Sequence, residues 1–165
     1  ELELLGYVTL GLYCGLRPES ELERLDWADV HVEDGFVHID DEKTKTAFGR
    51  HVTIPEAAKS LLLACHHRDG QIATPTNLRN RILKLRELAG VLEDWKPDVM
   101  RHTFASMHFG FHRDKDLIRK ELGHLDESML RHYVNHGTKI GKRAKEFFAF
   151  KVPSKTEILQ LSASA

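Results

Sequence analysis

Apolar residues crowd the first stretch of the chain, where residues 2–14 read LELLGYVTLGLYC. So continuous a run predicts a buried helix, and Gly15 behind it supplies a stop. Arg17 and Pro18 come next, and proline is favoured in a first helical turn. The helix expected there, ESELERLDW, turns Leu22 and Leu25 toward the core, with Trp27 beyond them. The period then changes. Val30, Val32, Phe36, Val37, Ile39, Val52 and Ile54 fall in short segments broken by Asp34-Gly35 and by the polar run 40–50. This pattern predicts three antiparallel strands, with a turn at 34–35 and a longer loop at 41–50 that carries Lys43 and Lys45. From Pro55 onward the spacing is helical, over about 56–67, 75–89, 98–109, 114–122, 127–135 and 139–149. Pro75, Gly90, Pro97, Gly110, Gly123 and Gly137 punctuate these helices. Residues 151–165 are weakly patterned, with room for a short helix near Glu157–Leu161. The expected fold is α+β, mainly helical with a small three-stranded antiparallel sheet. The start within a helix reads as a piece of a longer protein.

Composition changes this picture little. With 165 residues, 41% hydrophobic and 30% charged, the chain suits one domain with a real core. No apolar run approaches the roughly 20 residues of a membrane span, so no membrane partner is expected. Cys14 and Cys65 stand alone among apolar neighbours, which fits a reducing, cytoplasmic setting. The charge matters more. The net −1 conceals a split: 6 Lys/Arg against 13 Asp/Glu in residues 1–66, and 18 against 12 in residues 67–165. The second part therefore carries +6 and the first −7. A phosphate-binding face needs local rather than total positive charge.

Four side chains hold candidate chemistry. Arg17 lies in GLRPESEL at an expected helix start, where exposed backbone N–H groups attract phosphate. Arg101 lies in MRHTFAS, His124 follows it by 23 residues in LGHLDESMLRHY, and Tyr133 comes nine residues later. Each has a plain structural reading. Tyr133 shares a helix face with Met129 and Leu130, behind Asp126 as N-cap, and suits core packing. His124 projects from a corner after Gly123, and the two arginines suit helix surfaces, caps or salt bridges. Together they are the parts for cleaving a phosphodiester. Two guanidinium forks match phosphate oxygens and do charge work otherwise done by a metal, while a phenol supplies the nucleophile.

GLRP, RHTFAS, LGH and HY in this order and spacing resemble the tyrosine recombinase, or phage integrase, family, over about residues 5–150. The resemblance implies a tyrosine recombinase catalytic domain over 1–150, followed by a tail over 151–165. It assigns Arg17 and Arg101 to the paired arginines, His124 to the third box and Tyr133 to the nucleophile. Lys45 matches the hairpin general acid by its distance to Arg50 and Val52, with Lys43 as the alternative. Two departures stand out. Asp98 occupies the position three before Arg101 where the family usually has His, either weakening cleavage or capping the helix that starts there. Lys96 or Arg101 could pair with it. The first box also has one residue more than the commonest form, so Glu21 rather than Glu19 takes the place of the steadying acid.

The function implied is site-specific recombination or integration of a mobile element's DNA through a 3′-phosphotyrosyl intermediate, with double-stranded DNA as partner. The alternatives are a cleavage-impaired DNA-binding relative and a type IB topoisomerase-like activity. Four protomers would assemble on two duplexes, the fragment alone being monomeric and lacking the amino-terminal core-binding domain. The helix over 139–150, rich in Phe147, Phe148 and Phe150, either docks on a neighbouring protomer or packs on its own core. No cofactor or metal is expected. His108/His112 and His132/His136 have i,i+4 spacing but lack a third ligand, Gly110 interrupts the first pair, and His66 adjoins His67. His102 is expected to hydrogen-bond within the fold.

Overall fold

The computed structural model describes residues 4–40, 49–65, 68–73, 76–123 and 126–152. Helix α1 (Leu5–Tyr13) buries Gly6, Tyr7, Thr9, Leu10, Gly11 and Tyr13, covering much of its circumference, as its apolar run requires. A short 3₁₀ turn at Trp27–Asp29 leads into the sheet. Strands β1 (Val30–His31), β2 (Phe36–Ile39) and β3 (Arg50–Thr53) form an antiparallel sheet in sequence order. Val37 pairs with Val30 on one side and Val52 on the other, so the apolar alternation falls on one face. Helices α2 (Glu56–Leu63), α3 (Leu78–Leu88), α4 (Val99–His112), α5 (Lys115–Leu122), α6 (Glu127–Lys139) and α7 (Gly141–Phe148) complete the domain.

Helix α4 is the axis on which α1, α5, α6 and α7 pack. Two buried clusters meet along it. One joins α1, the sheet and α2 through Leu10, Leu22, Val37, Val52 and Leu62. The other joins α4, α5 and α6 through Phe104, Phe109, Ile118, Leu122, Leu130 and Tyr133. Phe148 packs against both. Phe147 stacks on Tyr13 with ring centroids 4.3 Å apart, so α7 lies on its own core.

Several expected boundaries move. The segment opened by Arg17 is not an α-helix but a five-residue π turn, Pro18–Leu22. Val32 is buried in the turn between β1 and β2 rather than in a strand. Gly110 and Gly137 do not end helices, because α4 continues to His112 and α6 to Lys139. Gly110 instead lies within α4, a helix packed against α7. Among the described residues no helix is long and apolar enough to cross a membrane. The helix expected near 157–161 lies outside the described residues.

Candidate active site

The site begins at the π turn. Leu22 N–H donates to Arg17 O at 2.9 Å and Glu23 N–H to Pro18 O at 3.1 Å, each reaching five residues back. A π turn accommodates one residue more than an α turn, the local signature of a single insertion. It carries the Glu21 carboxylate back over the start of its own turn. Arg17 N–H and Nη1 both donate to that carboxylate at 2.9 Å, so this backbone donor is filled from within rather than left for a ligand. Arg50, at the start of β3, grips the same carboxylate with Nη1 at 3.0 Å and Nη2 at 3.1 Å. Glu21 is fully buried. Burial by itself would raise its pKa, but hydrogen bonds and charge from Arg50 and Arg17 outweigh this and hold it below the ordinary value.

Arg101 sits in the first turn of α4 and is only 6% exposed. Its Nη1 donates to Gly15 O at 2.6 Å and its Nη2 to Leu122 O at 2.7 Å. Gly15 makes the first contact possible. Its φ is +67°, and a Cβ there would stand 2.3 Å from Phe104 Cδ1. Burial, together with the positive charges of Arg17 and Arg50, lowers the Arg101 pKa to about 10, while Glu21 and Tyr133 act the other way. It remains a cation at neutral pH. Arg17, Arg50, Glu21 and Tyr133 thus all lie within electrostatic reach of Arg101.

Arg50 is the residue that the sequence reading passed over. Beyond Glu21, its Nε donates to Glu121 O at 3.1 Å. Arg50 and Arg101 thus take the carbonyls of Glu121 and Leu122 at the carboxyl end of α5, where cations are favoured. The Glu121 carboxylate turns back to β3 and accepts from Thr53 N–H at 2.9 Å and Oγ1 at 2.7 Å. The Arg50 side chain therefore joins the Arg17 turn, the start of β3 and the end of α5. An arginine at a strand start carries no pattern that announces this, because its partners lie 29 and 71 residues away.

Tyr133 lies on α6, 2% exposed. Its hydroxyl makes a 2.7 Å hydrogen bond with His102 Nδ1. Burial raises its pKa, Arg101 opposes this, and Asp98 and Asp126 add to it. Asp126 caps α6, its Oδ1 accepting from Met129 N–H at 2.9 Å. Asp98 holds the N-cap position of α4 with a left-handed φ of 55°, yet its side chain makes no capping hydrogen bond, contrary to the capping expectation. Nor do the expected cations reach for it: Lys96 donates to Glu93 O at 3.3 Å, and Arg101 to the two carbonyls above. Asp98 is exposed and lines an open cleft of about 950 Å³ together with Arg17, Arg79 and Arg86. His124, Lys43 and Lys45 lie outside the described residues, as do His66 and His67.

The unbroken α4 brings His108 and His112 together after all, with ring centroids 4.5 Å apart. His108 Nδ1 is buried without a hydrogen-bond partner. Burial and His112 lower the His108 pKa to about 4, so its ring is neutral at physiological pH. Among the described residues no group of three or more His, Cys, Asp or Glu side chains could hold a metal ion.

These features can be set beside known proteins. The crystal structure of XerA recombinase superposes with a TM-score of 0.56 at 21% identity, covering 82% of this chain. The chain spans 58% of the length of that structure, and the likeness is one of fold. No curated protein matches the sequence significantly. The phage integrase family matches residues 1–139, a stretch holding the π turn, the three-stranded sheet, the buried Arg101 and Tyr133, and the chain belongs to that family.

Proposed function

We propose that this chain is the catalytic part of a site-specific DNA recombinase or integrase that cuts and rejoins double-stranded DNA through a 3′-phosphotyrosyl intermediate. The observation that supports this best is the buried Arg101, held between Gly15 O and Leu122 O, with Arg17 and Tyr133 each within its electrostatic reach from elements far apart in sequence. In this reading the two guanidinium groups take the non-bridging oxygens of the scissile phosphate and balance the charge of the pentacoordinate transition state. His124 adds a donor. Tyr133 attacks phosphorus in line, and Lys45, with Lys43 as the alternative, gives a proton to the departing 5′ oxygen. The phosphotyrosyl link keeps the ester energy, so a second strand's 5′ hydroxyl can reseal it without a nucleotide cofactor. Four protomers on two duplexes would complete an exchange.

The test uses duplexes with a nick beside the cleavage position and randomised sequence around it, so that a cleaved strand diffuses away and traps the adduct. A covalent protein–DNA adduct that disappears in Tyr133→Phe is the expected result. Stable binding without any adduct from the native chain would favour a second reading, a DNA-binding relative with impaired cleavage. Asp98 supports that alternative. It stands where the family pattern has a histidine, and its negative charge helps to raise the Tyr133 pKa. Asp98→His should then raise adduct formation, within the about 10²-fold that an electrostatic donor supplies.

A further inference from the structure

The Tyr133 hydroxyl has a partner, His102, to which the proposed reaction gives no part. His102 follows Arg101 on α4, half-buried, with its backbone N–H held by Asp98 O at 2.9 Å. Its Nδ1 lies 2.7 Å from Tyr133 Oη, and the two rings are 5.8 Å apart. The helices that carry them, α4 and α6, are packed along their lengths, so the contact joins two rigid elements. A protonated phenol has a hydrogen to give, and a neutral imidazole with its proton on Nε2 presents Nδ1 as the acceptor.

We propose that His102 is a catalytic residue, the base that takes the phenolic proton from Tyr133; this rests on Tyr133 being the nucleophile. As Tyr133 Oη bonds to phosphorus, its O–H bond breaks and the proton moves to His102 Nδ1. The P–O5′ bond breaks in the same displacement, and the 5′ oxygen takes its proton from the general acid. On resealing, the imidazolium returns its proton to the departing phenolate. The positive charge formed on His102 lies near the phosphate that the arginines hold, which offsets its proximity to Arg101. The other charged or titratable groups facing the pair are Asp98 at the start of α4, Asp126 before α6, and His132, whose ring is 5.9 Å from that of Tyr133.

The experiment follows adduct formation by the full chain on nicked duplexes whose scissile 5′ oxygen is replaced by sulfur. A thiolate leaves without help from an acid, so the remaining pH dependence reports on the nucleophile. With the native chain the rate should fall on acidification, as the base is lost to protonation. His102→Asn keeps an acceptor near the Nδ1 position but cannot take up a proton. It should melt and bind DNA like the native chain, form adduct about 10²-fold more slowly, and lose the acidic limb. Native-like rate and pH profile in His102→Asn would overturn the proposal. Should that variant not fold, ¹⁵N spectra of the native chain decide: an unprotonated Nδ1 that shifts in Tyr133→Phe supports it, and a protonated Nδ1 sinks it. Absence of adduct from the native chain would instead count against the nucleophile assignment itself.

Discussion

Glu21 shows at the scale of one residue how the site is kept together. It is a fully buried carboxylate shared by two arginines, and its removal leaves two guanidinium groups without their counter-charge. Breaking a buried pair costs about 3–5 kcal/mol. Glu21→Gln keeps one acceptor and should lie near the lower end, about 3 kcal/mol, as measured by urea denaturation. Because the folded pKa of Glu21 is depressed, its contribution is present above the ordinary value of 4.5 and is lost as pH falls through the lower folded value. The native chain should therefore lose stability on acidification below about pH 4.5, and Glu21→Gln should lose less over the same interval. An identical acid profile in the two proteins would remove Glu21 from this role.

Among elements, the π turn at Pro18–Leu22 is the most telling, because an extra residue is absorbed where it stands. Deleting Ser20 should convert the turn to an ordinary helical one and leave Glu21 against Arg17 and Arg50. The expected change in midpoint stability is within about 1 kcal/mol, close to the cost of a local backbone adjustment. A loss of several kcal/mol would mean that the wider turn is itself required. The elements also show what could be read from sequence. The three strands were legible because Val37, Ile39 and Val52 alternate with half-buried or exposed neighbours on a sheet with one buried face. Helix ends were less so. Gly110 looks like a stop, but α4 runs on to His112 and packs against α7, and no local pattern reports a neighbour so far along the chain. Within the site, Arg17, Arg101 and Tyr133 stood out by spacing, whereas Arg50 and the bond from His102 to Tyr133 depend on how α4, α5, α6 and β3 come together.

Across the whole molecule, the division of charge bears on how nucleic acid is met. Residues 67–165 carry +6, and residues 1–66 carry −7, part of it buried at Glu21 between arginines. Binding to duplex DNA should therefore be weak and steeply salt-dependent, with log affinity falling by about 0.9 per phosphate contact for each log unit of salt. Fluorescence anisotropy at two salt concentrations measures this directly. Binding indifferent to salt would imply recognition without phosphate contacts and would argue against the proposed chemistry.

The grip of Arg50 and Arg101 on the carboxyl end of α5 has one more consequence. Arg101 is tethered between the carbonyls of Gly15 and Leu122, and Arg50 between the Glu121 carbonyl and the Glu21 carboxylate, so both have little room to swivel toward an arriving anion. The ligand must adapt to them. In the proposed reaction such a preorganised template would lose little reorganisation energy as charge develops on it, and would favour strand geometries that bring a phosphorus to the fixed centre. Selectivity for a distorted or unwound duplex can then arise without contact to any base.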